Sequence, residues 1–312
     1  MLRQAVILLT YACNLRCGFC EYAGKDRSLS LTREQLEAVA DGYRPAKANL
    51  MGGEPLLSPL LADALEIFSP ATVQTNGLLV PERMGLLERA RQVIVSLEGD
   101  RAWHDRLRGR GTYGRALRAV RMLKERSIPV LLRASVHPKA MGQVRFLTKL
   151  ASELEVGLYF YPLLGERFTG EQAVWLFEWT SRHENVWVDL PQYFCWLGAG
   201  GLCAAGESRL AFSPDGVFPC QWMTDCRLGG IEDDPGLVLE GARAFRSVKT
   251  APRGCLPCRF AWSCRGGCLV LGGFPCPMRS SRGQAPRVRE DGEKLLAKAT
   301  GIKRLLRGVV TC

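Results

Sequence analysis

The thirteen cysteines of this 312-residue chain limit its fold more than any other feature, because they fall into separate groups. Three lie between residues 13 and 20, residues 21–194 contain none, and ten lie between residues 195 and 312. The apolar run Ala5–Leu9 is too short for a signal peptide, so we expect a cytoplasmic protein. Clustered cysteines in that reducing compartment more often bind metal than form disulfides.

The charge and the hydrophobic content bear on the class of protein. A hydrophobic fraction of 47% is enough for a packed core, and wholesale disorder is not expected. The formal net charge of +11 suggests an anionic partner, such as nucleic acid, membrane or an acidic peptide. However, the sequence has no apolar stretch of membrane-span length and no nucleic-acid-recognition signature, so we expect neither a membrane nor a specific nucleic acid as partner.

The cysteine-free stretch alternates short apolar runs with amphipathic runs, which predicts six strands each followed by a helix. The predicted strands are Ala5–Leu9, Ala48–Met51, Thr72–Thr75, Val93–Leu97, Val130–Ser135 and Val156–Tyr161. The predicted helices are a capped helix after Thr32 that runs through Ala40, then Pro59–Phe68, Pro81–Ala90, Gly114–Glu125, Gln143–Leu154 and Gly170–Arg182. This pattern predicts an α/β fold with a parallel sheet, as a partial (β/α)6 TIM-like barrel, because a closed eight-unit barrel needs about 250 residues.

The cysteine-rich part of the chain has a different pattern. Residues 190–280 show little helical periodicity, which predicts loops held by metal sites. Residues 288–309 regain helical spacing, which predicts a packed terminal helix. The predicted domains are therefore a barrel over residues 1–188, a small cysteine-rich domain over residues 189–284 and a C-terminal helical tail over residues 285–312.

The first chemical motif places three cysteines directly after the first predicted strand. Cys13, Cys17 and Cys20 have the spacing C-x3-C-x2-C. In parallel α/β folds, the loop after a strand faces the active site. Three such thiolates can hold three irons of a [4Fe–4S] cluster and leave the fourth iron open to a small molecule. A three-cysteine zinc site is the alternative interpretation.

This motif and its position resemble the signature of the radical S-adenosylmethionine (SAM) superfamily. Later segments resemble further family motifs in the expected order. Met51–Pro55 (GGEP) follows the second predicted strand, Gln74–Gly77 (T-N-G) ends the third, Val95–Gly99 (S-L-D-G, with Glu98 in place of Asp) ends the fourth, and His104–Gly109 (H-D-R-x-R-G) comes next. The resemblance implies that the cluster cleaves SAM to methionine and a 5′-deoxyadenosyl radical, which abstracts hydrogen from an unactivated carbon.

The same resemblance implies roles for individual residues. Cys13, Cys17 and Cys20 would be the catalytic iron ligands. The implied SAM-binding residues are Phe19, Gly52, Gly53, Glu54, Asn76, Ser96 and Arg108. Glycine lets the backbone approach the methionyl amino group, a guanidinium suits a carboxylate, and an aromatic ring can stack on adenine. The alternative for each of these residues is a turn, a surface ion pair or core packing.

The second chemical motif is the dense run C-x2-C-x5-C-x3-C that begins at Cys255. It resembles the SPASM extension of peptide-modifying radical enzymes, although Gly216 and Cys220 are separated by three residues instead of four. The resemblance implies two auxiliary [4Fe–4S] clusters, hence three in all. One would use Cys195, Cys203, Cys220 and Cys268, with Cys226 as the alternative to Cys195, and the other would use Cys255, Cys258, Cys264 and Cys276. Cys312 would be free, and structural zinc sites are the alternative for the whole set.

The resemblance also bears on the reaction. It implies an oxidoreductase or maturase that acts on a ribosomal peptide or protein, with auxiliary clusters that take up electrons and an external donor of the flavodoxin or ferredoxin type. Because the first motif begins at Cys13, no N-terminal peptide-recognition domain is expected. Gln221 stands where sulfatase-maturing relatives carry an acidic residue, which argues against formylglycine chemistry.

Two alternatives remain open at this point. One is tetrapyrrole or small-cofactor maturation by the same radical chemistry, which the basic surface would suit. The other is a non-enzymatic zinc- or cluster-binding scaffold. Four polar residues near the expected rims of the site have no assigned role and are simplest to interpret as structural: Tyr161, Glu166, Asp215 and Asp225.

Overall fold

The computed structural model describes residues 2–190, 193, 203–247, 268, 270 and 271. The chain divides into two compact units, each assembled from separate stretches of sequence. The first unit consists of residues 1–97, 101–131 and 204–248, and the second consists of residues 98–100, 132–203 and 249–312.

The described residues contain nine strands and eight α-helices. The strands are β1 (Gln4–Leu8), β2 (Ala48–Met51), β3 (Ala71–Thr75), β4 (Gln92–Ser96), β5 (Val130–Val136), β6 (Gly157–Pro162), β7 (Val186–Val188), β8 (Arg209–Ser213) and β9 (Gly216–Phe218). The helices are α1 (Arg33–Tyr43), α2 (Leu61–Ile67), α3 (Val80–Leu87), α4 (Arg101–Arg108), α5 (Thr112–Glu125), α6 (Gly142–Glu153), α7 (Gly170–Ser181) and α8 (Pro235–Ser247).

The sheet of the first unit has the strand order β4-β3-β2-β1-β8-β9. All its neighbouring strands are parallel except β9, which forms an antiparallel hairpin with β8. Every residue of β1 is buried, as expected for a strand with a neighbour on each side and both faces covered. In the second unit, β6 pairs in parallel with β7, with Leu158 opposite Val186.

The helix starts follow the local sequence. Thr32 caps α1 by accepting a hydrogen bond from the amide of Gln35 at 3.2 Å, and the Gln35 side chain accepts one from the amide of Thr32 at 3.1 Å. This reciprocal capping box confirms the predicted start of the helix. Thr169 and Gln172 cap α7 in the same way.

All six predicted strands and all six predicted helices are present, and their ends shift by no more than three residues. The predicted α/β fold with a parallel sheet is therefore confirmed. The predicted domain boundaries stay predictions, and the tail helix expected beyond residue 285 lies outside the described residues. In the described part of the chain, no helix combines the length and apolar character that a membrane crossing requires.

The expectation that residues 190–280 form only loops is wrong. This stretch contributes β8, β9 and α8, and β8 lies beside β1 with Ala5 opposite Leu210. The strand was missed because it begins with an arginine. Arg209 is 1% exposed, and its Nε donates to Oε1 of Gln4 at 2.9 Å, which satisfies part of the buried guanidinium.

Candidate active site

The cysteine loop, residues 13–20, follows β1 and carries three half-buried thiols. Burial raises the pKa of Cys13, and the charges of Glu54, Cys17 and Cys20 raise it further, so each of these three groups lies within electrostatic reach of Cys13. The amide of Leu15 opposes this effect by donating to Sγ of Cys13 at 3.4 Å. The loop therefore gathers three soft sulfur donors at the carboxyl end of β1.

This donor set is compatible with an iron–sulfur cluster. Among the residues that the structure describes, no three His, Cys, Asp or Glu side chains converge as ligands of one ion. The thiolates of an iron–sulfur cube bind different irons, so their sulfur atoms need not converge on one point. The three-cysteine zinc site therefore gains no support from this geometry, whereas three sulfur donors on one short loop are compatible with a cube.

The two glycines after β2 lie against the backbone that leads into the cysteine loop. A Cβ atom at Gly52, whose φ is +147°, would lie 2.3 Å from the carbonyl oxygen of Thr10, and one at Gly53 would lie 2.4 Å from that of Ala12. The amide of Gly53 donates to the carbonyl of Thr10 at 2.7 Å. Glycine is needed here for contact between two backbone segments, a role that the sequence did not predict. The approach to a methionyl amino group stays a prediction.

Glu54 ties the carboxyl end of β2 to that of β3. Its carboxylate is completely buried and accepts hydrogen bonds from the Thr75 hydroxyl at 2.7 Å, the Asn76 amide at 2.8 Å and the Leu56 amide at 3.1 Å. Burial raises its pKa to about 6, while these hydrogen bonds and the charge of Arg108 act in the opposite direction. With three donors, this carboxylate is an anchor between two strand ends.

Asn76 extends this network into the cysteine loop. Its Nδ2 donates to Oδ1 of Asn14 at 2.8 Å, and its own Oδ1 accepts from the amide of Leu78 at 3.0 Å. Asn14 lies between Cys13 and Cys17, and sequence reasoning assigned it no role. Its position inside the cysteine motif is the signal that could have found it.

Arg108 and Phe19 meet beside this network. The guanidinium carbon of Arg108, the last residue of α4, lies 5.4 Å from the centre of the Phe19 ring. Its positive charge also opposes the rise that burial causes in the pKa of Glu54. Ser96 is 4% exposed and ends β4. The structure thus brings Phe19, Glu54 and Arg108 together, while the SAM-binding roles of Ser96 and of these residues stay predictions.

A second set of contacts joins the segments on either side of the cysteine loop to the β8–β9 hairpin. Nζ of Lys25 lies 2.5 Å from Oδ2 of Asp215, and the Tyr11 hydroxyl donates to the same oxygen at 3.1 Å. Burial is the main reason that the pKa of Tyr11 rises to about 12, so this phenol stays protonated and donates. Asp215 is therefore a structural anchor, and Lys25 and Tyr11 are its partners, which the sequence did not indicate.

The segment after Cys220 packs against the segment after Cys20. The Tyr22 hydroxyl donates to the carbonyl of Gln221 at 3.0 Å, and the Trp222 ring stacks on that of Tyr22 with centres 6.4 Å apart. Cys20 and Trp222 both pack against a buried cluster that includes Tyr11 and Tyr22. Cys220 itself is 5% exposed. Aromatic packing thus holds the two cysteine segments of the first unit together.

In the second unit, two distant cysteines come together. Cys203 and Cys268 are 5% and 6% exposed. Burial raises the pKa of Cys268, and the charge of Cys203 adds to this effect. The Tyr161 hydroxyl lies 3.5 Å from Sγ of Cys268. The remaining predicted auxiliary ligands, together with Cys312, lie outside the described residues: Cys195, Cys255, Cys258, Cys264 and Cys276.

Comparison with known proteins places the chain among enzymes. Residues 7–140 match the family model of the Radical SAM superfamily. The chain is 27% identical to a serine-type anaerobic sulfatase-maturating enzyme of Klebsiella aerogenes, over 82% of this chain and 77% of the relative. It is also 27% identical to mycofactocin maturase MftC of Mycobacterium ulcerans over 91% of each chain. A third relative, the sporulation killing factor maturation protein SkfB of Bacillus subtilis, is 27% identical over 81% of this chain and 68% of the relative.

Solved structures show the same fold. The enzyme anSMEcpe with bound AdoMet and a peptide superposes with a TM-score of 0.75 at 20% identity, over 96% of this chain and 99% of that one. Streptococcus suis SuiB bound to S-adenosylmethionine superposes with a TM-score of 0.70 at 17% identity, over 86% and 73% of the two chains. The order of motifs along the strand ends and the family match lead to one conclusion: the chain is an enzyme whose residues 7–140 match the Radical SAM superfamily, and it is similar to maturases over most of its length.

Proposed function

We propose that this enzyme matures a ribosomally made peptide or a protein by abstracting hydrogen from it, with two auxiliary [4Fe–4S] clusters taking up electrons. The observation that carries the proposal is the fixed position of the cysteine loop. Gly53 hydrogen-bonds to Thr10 just before the loop, and Asn76, which is held by Glu54, hydrogen-bonds to Asn14 within it, so the loop is fixed beside the carboxyl ends of β1, β2 and β3. A loop held at three strand ends is preorganised for binding and chemistry.

The match of residues 7–140 to the Radical SAM superfamily implies one [4Fe–4S] cluster and SAM. Cys13, Cys17 and Cys20 would hold this cluster through their thiolates. When bound, the cluster and SAM supply one-electron chemistry that removes a hydrogen atom from an unactivated carbon.

The residues around the cysteine loop would bind and orient SAM. The guanidinium of Arg108 would pair with a carboxylate, and Phe19 would offer an apolar surface to the adenine. Glu54 is occupied by three hydrogen-bond donors, so we assign it to holding Asn76 and the cysteine loop in place. Gly52 and Gly53 would present backbone groups to the methionyl part, and Ser96 would act from the end of β4.

The auxiliary clusters complete the proposal. Cys203 and Cys268 would contribute thiolates to one cluster, and their shared burial supports this pairing. Cys195 and Cys220 would complete it, while Cys255, Cys258, Cys264 and Cys276 would hold the other. An external one-electron carrier of the flavodoxin or ferredoxin type would supply electrons, in the cytoplasm.

The substrate class follows from the relatives. The sulfatase-maturating enzyme, MftC and SkfB are all named for maturation, which supports a peptide or protein substrate over a tetrapyrrole. Gln221 follows Cys220 and carries no charge, so the segment lacks an acidic proton acceptor at that place. We therefore propose peptide oxidation or crosslinking before formylglycine formation.

Anaerobic reconstitution tests the proposal. The purified chain is loaded with iron and sulfide, and 5′-deoxyadenosine is measured after adding SAM and dithionite. We expect about twelve irons per chain and steady 5′-deoxyadenosine formation. Cys17→Ala should abolish that product, whereas Cys226→Ala, which removes a half-buried cysteine with no preferred ligand role, should retain it. Product formation by Cys17→Ala at the parental rate would contradict the proposal.

A precursor peptide identifies the reaction. Candidates are short reading frames beside the gene, incubated with the reconstituted enzyme and analysed by mass spectrometry. A mass loss of two hydrogens is the outcome expected for oxidation or crosslinking, and modification of an added tetrapyrrole instead would contradict the substrate class.

A further inference from the structure

Tyr161 of the second unit contacts a predicted cluster ligand directly, and the backbone amides of Val270 and Leu271 contact the same ligand. Tyr161 lies near the end of β6, is 3% exposed, and its hydroxyl is 3.5 Å from Sγ of Cys268. This distance is within the range of hydrogen bonds to sulfur. Both groups are buried, so water competes little for the contact.

The direction of this hydrogen bond follows from chemistry. In the free thiol either atom can donate. A cysteine that ligates iron has lost its proton, so its sulfur can only accept, and the phenol of Tyr161 becomes the donor. The contact is therefore suited to stabilising negative charge on the sulfur.

We propose that the Tyr161 hydroxyl donates a hydrogen bond to the ligand sulfur of Cys268 and raises the reduction potential of that auxiliary cluster. This inference rests on the proposed function, because it takes Cys268 as a cluster ligand. Reduction adds one electron and no proton to the cluster, so its sulfur atoms become more negative. A hydrogen bond to sulfur then stabilises the reduced form more than the oxidised form.

The consequence concerns the direction of electron flow. A higher potential favours transfer of one electron from a substrate radical to this cluster, and an external one-electron carrier then removes that electron. Hydrogen bonds to sulfur, net charge and exposure together set such potentials. Cys203 and Cys268 are buried, and the hydroxyl of Tyr161 adds a side-chain dipole to the backbone amides of Val270 and Leu271 that also donate to Cys268.

Tyr159 offers a matched control on the same strand. It lies two residues before Tyr161, is 2% exposed, and its ring stacks on Trp187 with centres 5.7 Å apart. Tyr159→Phe and Tyr161→Phe each remove one hydroxyl from a buried tyrosine of β6. Tyr161 makes the contact with Cys268.

The experiment is a redox titration of the reconstituted enzyme followed by electron paramagnetic resonance, with iron counted in each sample. In Tyr161→Phe, we expect the potential of one cluster to move to a lower value, while the other two and the iron content stay unchanged. Tyr159→Phe should leave all three potentials in place. Replacing Tyr161 with a fluorinated tyrosine, whose hydroxyl is a stronger donor, should move the same potential upward.

Three results would overturn the inference. The first is that the reduction potentials stay unchanged in Tyr161→Phe while its iron content is full. The second is that a reduction potential shifts by the same amount in Tyr159→Phe. The third is that Tyr161→Phe loses about four irons, because that loss means that the hydroxyl is needed to hold the cluster and does not only tune its potential. The parent enzyme separates this inference from the proposed function. If the parent itself binds only about four irons, the auxiliary clusters are absent and the proposed function is wrong in that part.

Discussion

The cysteine loop and the later cysteines differ in exposure. Cys13, Cys17 and Cys20 are half-buried, whereas Cys203, Cys220 and Cys268 are 5%, 5% and 6% exposed. Partly exposed thiolates can serve a site that exchanges small molecules, and sealed thiolates suit a site that only passes electrons. Exposure therefore separates the cysteine loop from Cys203, Cys220 and Cys268 within the part of the chain that the structure describes.

The two regions also differ in how they are assembled. Short-range motifs follow consecutive strand ends, and one of them reaches the cysteine loop directly, because Asn76, held by Glu54, donates to Asn14. Cys203 and Cys268 lie far apart in the sequence, and the tertiary fold buries them within electrostatic reach of each other. A motif alone locates the first site, whereas the second depends on the tertiary fold.

The largest expected effect comes from removing one cysteine of each kind. Cys17→Ala should abolish 5′-deoxyadenosine formation, because it removes a ligand of the cluster that binds SAM. Cys220→Ala should still cleave SAM but lose the modified peptide, because it removes a thiolate from a sealed site. Chromatography of 5′-deoxyadenosine and mass spectrometry of the peptide check both. Equal loss of SAM cleavage in the two variants would remove the distinction between open and sealed sites.

The next effect concerns the close packing behind the cysteine loop. In Gly53→Ala, the new Cβ would lie 2.4 Å from the carbonyl oxygen of Ala12, so we expect the free energy of unfolding of the apo-protein to fall by about 2 kcal/mol. Gly18→Ala, inside the same loop, has nothing within 4 Å of its Cβ and should change little. Urea unfolding compares the two, and equal stability of both variants would show that the backbone contact is not needed.

The third effect is a pH dependence from Glu54. Its pKa is about 6 in the folded chain and ordinarily 4.5, so the folded state binds more protons than the unfolded state between these values. The free energy of unfolding should therefore fall as pH rises through this window, by about 2 kcal/mol from this group. Glu54→Gln should remove that slope in urea unfolding of the apo-protein. If the free energy of unfolding changed with pH in the same way for the parent and for Glu54→Gln, this account would be contradicted.

The smallest effect is expected at the ion pair between Lys25, which follows the cysteine loop, and Asp215 of the β8–β9 hairpin. The side chains of Lys25 and Asp215 are 28% and 27% exposed, so solvent screens their attraction. A double-mutant cycle of Lys25→Met and Asp215→Asn should give a coupling free energy of at most about 1 kcal/mol. A coupling of several kcal/mol would mean that this pair, rather than the hydrogen bonds of Glu54 and Asn76, fixes the loop.

Much of the first site could be read from local sequence. The capping box at Thr32, the strand before the cysteines and the motif residues at the ends of β2, β3 and β4 all follow from short-range patterns. Arg108 and Phe19 were each predicted near SAM, and the structure places them together.

Other features depend on partners far away in the sequence. The role of Asp215 depends on Lys25 and Tyr11, and the strand that begins at Arg209 depends on Gln4. The helix α4 was missed because His104 is its one fully buried residue among the eight, so it lacks an apolar stripe. Local periodicity cannot reveal contacts of this kind.

The pairing of β8 with β1 has a consequence for dissecting this protein. β8 covers the backbone groups along one side of β1, with Val6 opposite Ala211 and Ile7 opposite Phe212. A fragment that stopped after residue 188 would keep every barrel motif yet present β1 as a bare, apolar edge. Such edges invite pairing with other chains, so this fragment should precipitate or dimerise where the intact protein does not.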